Sequence, residues 1–308
     1  MSPIYVWARA AMLLSLIAIF TLAGCGGVPK PPMPAAMEGP VPVRVLCINI
    51  LNGGEELGQP LSKTLDIITE TGADIVLLQE QEGAATKLAR QLGFDVHVVS
   101  SSVAVLSRWP MAQTGRHGAA VAYQPGRLVH VFGVHLEAYP YGPYDLRDAP
   151  TLTTTQLIET AEATRGHQIA PVLAEMAPHI AAGAPVILGG DFNEPSHLDW
   201  VEAAAPRHFG RTLPWPTSRR VAGAGLTDSY RAIYTCPAEY PGDTWTPLQA
   251  PGEVHDRIDR LYHAGAGVLV LFAEVVGESS EFADRVFSPY PTDHRGVLVE
   301  YTLPPAVD

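Results

Sequence analysis

The chain has 308 residues, enough to bury a full core in one domain or two. Its 28 Gly, 28 Pro and sparse charge suit a loop-rich globule rather than a disordered chain. The net charge is −12 and no basic tract exists, which argues against sequence-independent nucleic-acid binding but leaves room for a nuclease whose metal ions supply positive charge.

Residues 1–24 read as an export signal: Arg9 gives a thin positive region, and Ala10 to Leu22 is an apolar run too short for a membrane span. Leu22-Ala23-Gly24-Cys25 then resembles a bacterial lipobox, which makes Cys25 the expected lipidation site. The chain is therefore expected to be an exported lipoprotein, anchored with its domain in the periplasm or at the cell surface. Residues 25–42 carry six prolines and no apolar periodicity, the composition of an extended tether. Beyond Cys25 only Cys47 and Cys236 remain. Cys47 lies in an apolar run and reads as a small core residue, and nothing in the spacing demands a disulfide.

Val43 to Ile50 predicts a buried strand, broken by Asn52-Gly53-Gly54. Leu61, Leu65 and Ile68 share one helix face, and Gly72 ends that helix. Ile75 to Leu78 is a short strand buried on both faces. A helix over Ala84 to Leu92 is followed by strands at Phe94–Val99 and Val103–Leu106. Ala119–Tyr123 and Leu128–Val134 flank Pro125-Gly126, a hairpin signal. Residues 152–181 read as helix interrupted by Pro171 and Pro178, and Val186–Leu188 as a strand. Residues 205–225 read as a long loop, with a surface role as plausible as any other for Trp215 and Arg219-Arg220. Arg257–Tyr262, Val268–Val276 and Gly296–Tyr301 close the chain as strands, giving one α/β domain over 43–303 and a short tail, 304–308.

Six polar words sit at the tips of these apolar runs. They are Cys47-Ile48-Asn49, Leu78-Gln79-Glu80, Val134-His135-Leu136, Gly190-Asp191-Phe192-Asn193, Arg257-Ile258-Asp259 and Thr292-Asp293-His294. Singly, each has a plain explanation as a turn former, rim charge or core histidine. Together they supply two Asn, one Glu, three Asp and two His, the donors for a hard cation with acid–base help. No His-Glu-x-x-His or Cys-x-x-Cys word argues for zinc.

The order and flanks of these words resemble the endonuclease/exonuclease/phosphatase superfamily, the fold of DNase I. Val45 to Asn49 resembles its opening strand and Ala73 to Glu80 its glutamate motif. Val103 to Pro110, Asp243-Thr244-Trp245 and Arg257-Ile258-Asp259-Arg260 also fit, and Gly189 to Asn193 and Thr292 to Arg295 are the most specific matches. The resemblance implies a four-layer α/β sandwich of two packed, mainly antiparallel sheets flanked by helices. It implies a metal-dependent phosphoester hydrolase, with Glu80, Asn49 and Asp293 for Mg²⁺ or Mn²⁺ (Ca²⁺ is also compatible). His294 is the best general base, oriented by Asp259; Asp191 and Asn193 orient water and phosphate; His135 binds phosphate or helps the leaving group. The sequence leaves open whether Asp191 or His294 takes the proton. Where many members have Ile-Asp-Tyr, Arg260 follows Asp259, and alternation suggests an exterior arginine paired with a carboxylate.

The segment after His135, from Glu137 to Arg147, places three Tyr and an Arg near the site. It is either a plain surface loop or a substrate-choosing one, with Tyr144 and Arg147 as candidate substrate contacts. A small or lipid-derived phosphoester, handled by a monomer, is the favoured substrate. Two alternatives are a surface-tethered nuclease on the same fold and a non-catalytic binding lipoprotein.

Overall fold

The computed structural model describes residues 39–304. The export signal, Cys25, the tether up to residue 38 and residues 305–308 lie outside the described residues.

The first half contains β1 (Val41–Asn49), a single turn α1 (Leu51–Gly54), α2 (Ser62–Thr71), β2 (Ile75–Gln79), α3 (Ala84–Leu92), β3 (Asp95–Val98) and β4 (Ala104–Ser107). Next come β5 (Met111–Thr114), β6 (Gly118–Gln124), β7 (Arg127–His135), α4 (Gly142–Asp148), α5 (Thr154–Ala161), a wide turn at Glu162–Gly166 and α6 (His167–Ala181). The remainder is β8 (Val186–Asp191), α7 (Pro216–Gly223), β9 (Thr227–Asp228), α8 (Ser229–Ile233), β10 (Asp259–Ala264), β11 (Leu269–Gly277), β12 (Arg285–Val286) and β13 (Gly296–Leu303).

The strands form two sheets. One has seven strands in the order β12-β11-β13-β1-β2-β4-β3, the other six in the order β5-β6-β7-β8-β10-β9. Pairing is mostly antiparallel, with parallel contacts at β1–β2, β7–β8 and β11–β12. Alternation along β1 sends Val43, Val45 and Cys47 into the core between the sheets, and Leu46 and Ile48 under the helices α2 and α3. On the far side, Phe132, Val134, Val186 and Leu188 pack against Ile169, Val172 and Met176 of α6. Helix, sheet, sheet and helix thus stack as the expected four layers.

Several boundaries differ from the sequence reading. β1 starts at Val41, two residues inside the stretch read as tether. Pro171 and Pro178 do not interrupt α6. Both face solvent, where water satisfies the carbonyls they free, and the break falls earlier, at the wide turn of 162–166. The stretch 205–225 is not a plain loop, because Pro216 starts α7 at a position where its missing N–H costs nothing. Trp215 is fully buried, edge-on to Trp200 with centroids 5.2 Å apart, while Arg220 pairs with Glu162 on the outside. Cys47 and Cys236 are both free thiols, Cys47 in the core.

Candidate active site

Because β1 and β2 run parallel, as do β7 and β8, four strand ends emerge on one edge of the sandwich. β10 and β13 run antiparallel to β8 and β1, so their starts arrive at the same edge. That topology collects all six polar words. Asp259 is in register with Asp191, which is itself in register with His135. A cavity of about 200 Å³ opens there, and Glu80, His135, Asp191, Asn193, Asp293 and His294 all line it.

The word around Asp191 needs its two glycines for close approach. A Cβ on Gly190 would sit 2.0 Å from the Val134 carbonyl oxygen, and one on Gly189 would strike Leu77 and Leu261 at 2.6 Å. Only glycine lets β8 lie so close to β7 and to the opposite sheet. Asp191 is then fixed by its neighbours. Oδ1 accepts the Asn193 backbone N–H at 2.8 Å, and Oδ2 accepts Asn49 Nδ2 at 3.1 Å. Asn193 takes a positive φ of 47° and donates Nδ2 to the Leu136 carbonyl at 3.0 Å, clamping the ends of β7 and β8 together.

Asn49 links the two sheets. Its Nδ2 donates to Glu80 Oε1 at 3.0 Å as well as to Asp191, while its Oδ1 accepts the Leu51 N–H at 3.0 Å. A hard cation needs oxygen, and Asn49 presents nitrogen to the carboxylates. Asn49 thus ties Glu80 to Asp191, with its amide oxygen held by the Leu51 N–H. Glu80 leaves β2 with a positive φ of 52° and accepts the Asn52 N–H at 3.1 Å. Its own N–H donates to Ser102 Oγ at 3.2 Å, and that hydroxyl lies 2.6 Å from His135 Nδ1. His135 Nε2 is thereby turned towards Asp191 Oδ2, 3.7 Å away.

His294 and Asp259 form a buried pair with Nδ1 to Oδ2 at 2.9 Å, and His294 Nε2 stands 3.9 Å from Asp191 Oδ2. Burial alone would lower the imidazole pKa, but Asp259, Asp191 and Asp293 outweigh it and push it up to about 10. Asp259 is held through its backbone, whose N–H donates to Thr244 Oγ1 at 3.0 Å. Two residues earlier, buried Arg257 donates to Asp228 Oδ2 at 2.8 Å and to Asp199 Oδ1 at 3.0 Å. The arginine of this word is an anchor, and breaking such a buried pair typically costs about 3–5 kcal/mol.

Asp293 is half-buried, and burial pushes its carboxyl up, with Glu80 adding to the effect. Its Oδ1 has no hydrogen-bond partner. Asp191, Asp259 and His294 also bring one ligand atom each within 4.8 Å of one another. In that cluster Asp259 Oδ1 is likewise buried without a partner, and Glu80, Asp191 and Asp293 line the cavity beside it. An oxygen-rich set with an unpaired carboxylate fits a hard divalent cation.

The remaining sequence candidates separate. Tyr144 lines the cavity, but Arg147 does not; it pairs with Asp148 at 2.7 Å and lies over the Tyr144 ring. Gly142 to Asp148 is helix rather than loop, started by Pro143 in its first turn. Arg260 is buried, not exterior. It donates to the Glu194 and Arg257 carbonyls at 2.6 and 3.0 Å and covers the Phe192 ring, because β10 has a sheet layer on one side and helices on the other. Sequence reasoning passed over Ser102 and gave Trp245 no role. Trp245 lies in a word noticed only as a match, and its ring stands 4.8 Å from that of His294.

Comparison with known proteins gives a consistent picture. The model of the Endonuclease/Exonuclease/phosphatase family matches residues 47–294. An uncharacterized protein of Caenorhabditis elegans is 26% identical over 290 residues, spanning 85% of this chain and 91% of its own. A 3'-5' exonuclease from Neisseria meningitidis has a similar fold, with TM-score 0.54, 19% identity, and coverage of 85% of this chain and 100% of the other. An endonuclease/exonuclease/phosphatase structure from Beutenbergia cavernae gives TM-score 0.54 and 18% identity, covering 85% and 72%.

Proposed function

Because the chain belongs to the endonuclease/exonuclease/phosphatase family, we propose that it is a Mg²⁺- or Mn²⁺-dependent phosphoester hydrolase acting on a small or lipid-derived phosphoester. The observation that carries this reading is the convergence of Glu80, Asp191, Asp293 and the His294–Asp259 pair on one cavity.

Glu80 and Asp293 are the residues that would hold the cation. Bound there, it would polarise a phosphoryl oxygen and offset the developing charge. Asp191, fixed by Asn49 and Asn193, accepts the proton of the attacking water. The water oxygen bonds to phosphorus as the opposite P–O ester bond breaks. We assign His294 the role of N–H donor, because Asp259, Asp191 and Asp293 all favour its charged form. Its Nε2 proton serves the phosphoryl group or the departing oxygen, with His135 as a second donor. Asn193 holds Asp191 and the Leu136 carbonyl in place. The products are an alcohol and a phosphate carrying one ester fewer.

A hydrolysis panel tests this reading: plasmid DNA, RNA, a diaryl phosphodiester, an aryl phosphomonoester and a phospholipid, each with divalent cation and with excess chelator. Turnover of at least one small ester or phospholipid, abolished by chelation, is expected. Fast DNA nicking with the small esters untouched would favour the nuclease alternative, and chelator-resistant activity would rule out the cation.

We also propose that the domain is exported and held at a membrane by lipid on Cys25, through the tether of residues 25–42. The motif Leu22 to Cys25 and the prolines that follow support this. Cys25→Ser is expected to move the protein from the membrane fraction to the soluble one. Continued membrane attachment of that variant would count against lipidation there.

A further inference from the structure

Opposite its carboxylates the cavity has an aromatic wall formed by Tyr139, Tyr141, Tyr144 and Trp245. The inner rings are locked. Trp245 Nε1 donates to the Tyr144 hydroxyl at 2.8 Å, and that hydroxyl donates to Glu253 Oε1 at 2.5 Å. The Tyr141 hydroxyl donates to Asp256 Oδ2 at 2.8 Å, and the Tyr141 and Tyr144 rings meet edge to face, 4.9 Å apart. Trp245 continues the wall to the His294 ring. Rings fixed in advance lose little freedom when a flat group packs on them. Tyr139 differs: it is 65% exposed and makes no side-chain hydrogen bond among the described residues.

The charge around the cavity is one-sided. None of its lining residues is Lys or Arg. Arg147 pairs with Asp148, and Arg165 donates to the Ala138 and Pro140 carbonyls, both at 2.9 Å. Glu80, Asp191 and Asp293 face the space, and the charge of His294 is matched by Asp259. Whatever charge these carboxylates keep beside a cation repels a dianionic ester more than a monoanionic one. The cavity gives room for a ring beside a phosphate.

We propose that the substrate is a small, singly charged phosphodiester, one of whose ester groups is a flat, uncharged ring seated against Tyr139, Tyr144 and Trp245. The proposal rests on the hydrolase reading above and narrows it. Water attacks phosphorus, one P–O ester bond breaks, Asp191 takes the water proton, and an alcohol and a phosphomonoester leave.

The test uses the protein with Mg²⁺ or Mn²⁺. Bis(p-nitrophenyl) phosphate is expected to exceed p-nitrophenyl phosphate in kcat/KM by about 100-fold or more. As competitors, diphenyl phosphate is expected to have a Ki at least about tenfold below that of dimethyl phosphate, since both carry one charge and only one carries rings. Tyr139→Ala should remove most of that tenfold ratio, and Tyr139→Phe should restore it. Equal inhibition by the two diesters, an unchanged ratio in Tyr139→Ala, a preference for the monoester, or faster nicking of DNA would each overturn the proposal while leaving the hydrolase reading intact. No hydrolysis of any phosphoester with any divalent cation would instead remove the hydrolase reading itself.

Discussion

Replacing Glu80 by Gln is expected to lower kcat/KM by roughly 10³-fold or more, a loss of about 4 kcal/mol of transition-state stabilisation. The size follows from what the substitution removes. Gln keeps one oxygen, enough for either the Asn49 amide on Oε1 or the Asn52 N–H on Oε2, and turns its NH2 to the other donor, so one of the two local hydrogen bonds is lost. It deletes the charge that faces the cavity beside Asp293. Relief of the Glu80–Asp293 repulsion and loss of one hydrogen bond oppose each other, so the variant should melt near the wild-type temperature without added cation. Wild type should gain thermal stability as Mg²⁺ or Mn²⁺ is raised, since a ligand that binds only the folded state stabilises it. Glu80→Gln should lose that gain. Near-normal turnover in the variant, or the same cation-induced rise in melting temperature, would take Glu80 out of the metal site.

His294→Ala is expected to lower turnover by about 10²- to 10⁴-fold while leaving the cation-induced melting shift in place. A variant within about tenfold of wild type would place the essential proton elsewhere. Its partner provides a sharper test. Asp259 is among the carboxylates that raise the His294 pKa, so Asp259→Asn should let that pKa fall. If His294 works in its charged form, activity is present below the imidazole pKa and lost above it. The alkaline limb of the kcat/KM–pH profile should then move towards neutrality by a unit or more in Asp259→Asn. An unmoved alkaline limb, or a shifted acidic one, would mean that His294 acts as the neutral base.

The central strands were legible because burial on both faces leaves an unbroken apolar run, as in Ile75 to Leu78. The edge strand β5 was missed because Met111 to Thr114 is partly exposed and carries no such pattern. β9 and β12, of two residues each, are too short for any period. Pro143 and Pro216 read as breakers but stand in the first turns of α4 and α7, where a helix tolerates them. At the site, residue types and order identified the carboxylates and histidines. They could not give the direction of the Asn49 amide, which depends on a backbone N–H two residues away. Nor could they give the burial of Arg260, which depends on layers on both sides of β10. Tyr141 and Trp245 are 104 residues apart in the chain, and only the fold brings them to one wall.

The last strand, β13, lies between β11 and β1, so the first strand of the domain is hydrogen-bonded on one side to the chain's final described residues. The seven-stranded sheet can therefore close only after residues 296–303 have left the ribosome. Until then β1 has β2 alone, and His294, two residues before β13, arrives after Asp259. The six-stranded sheet, by contrast, needs no residue beyond Ala264. Trimming even a few residues from β13 should thus do more harm than a deletion of equal length in any surface loop.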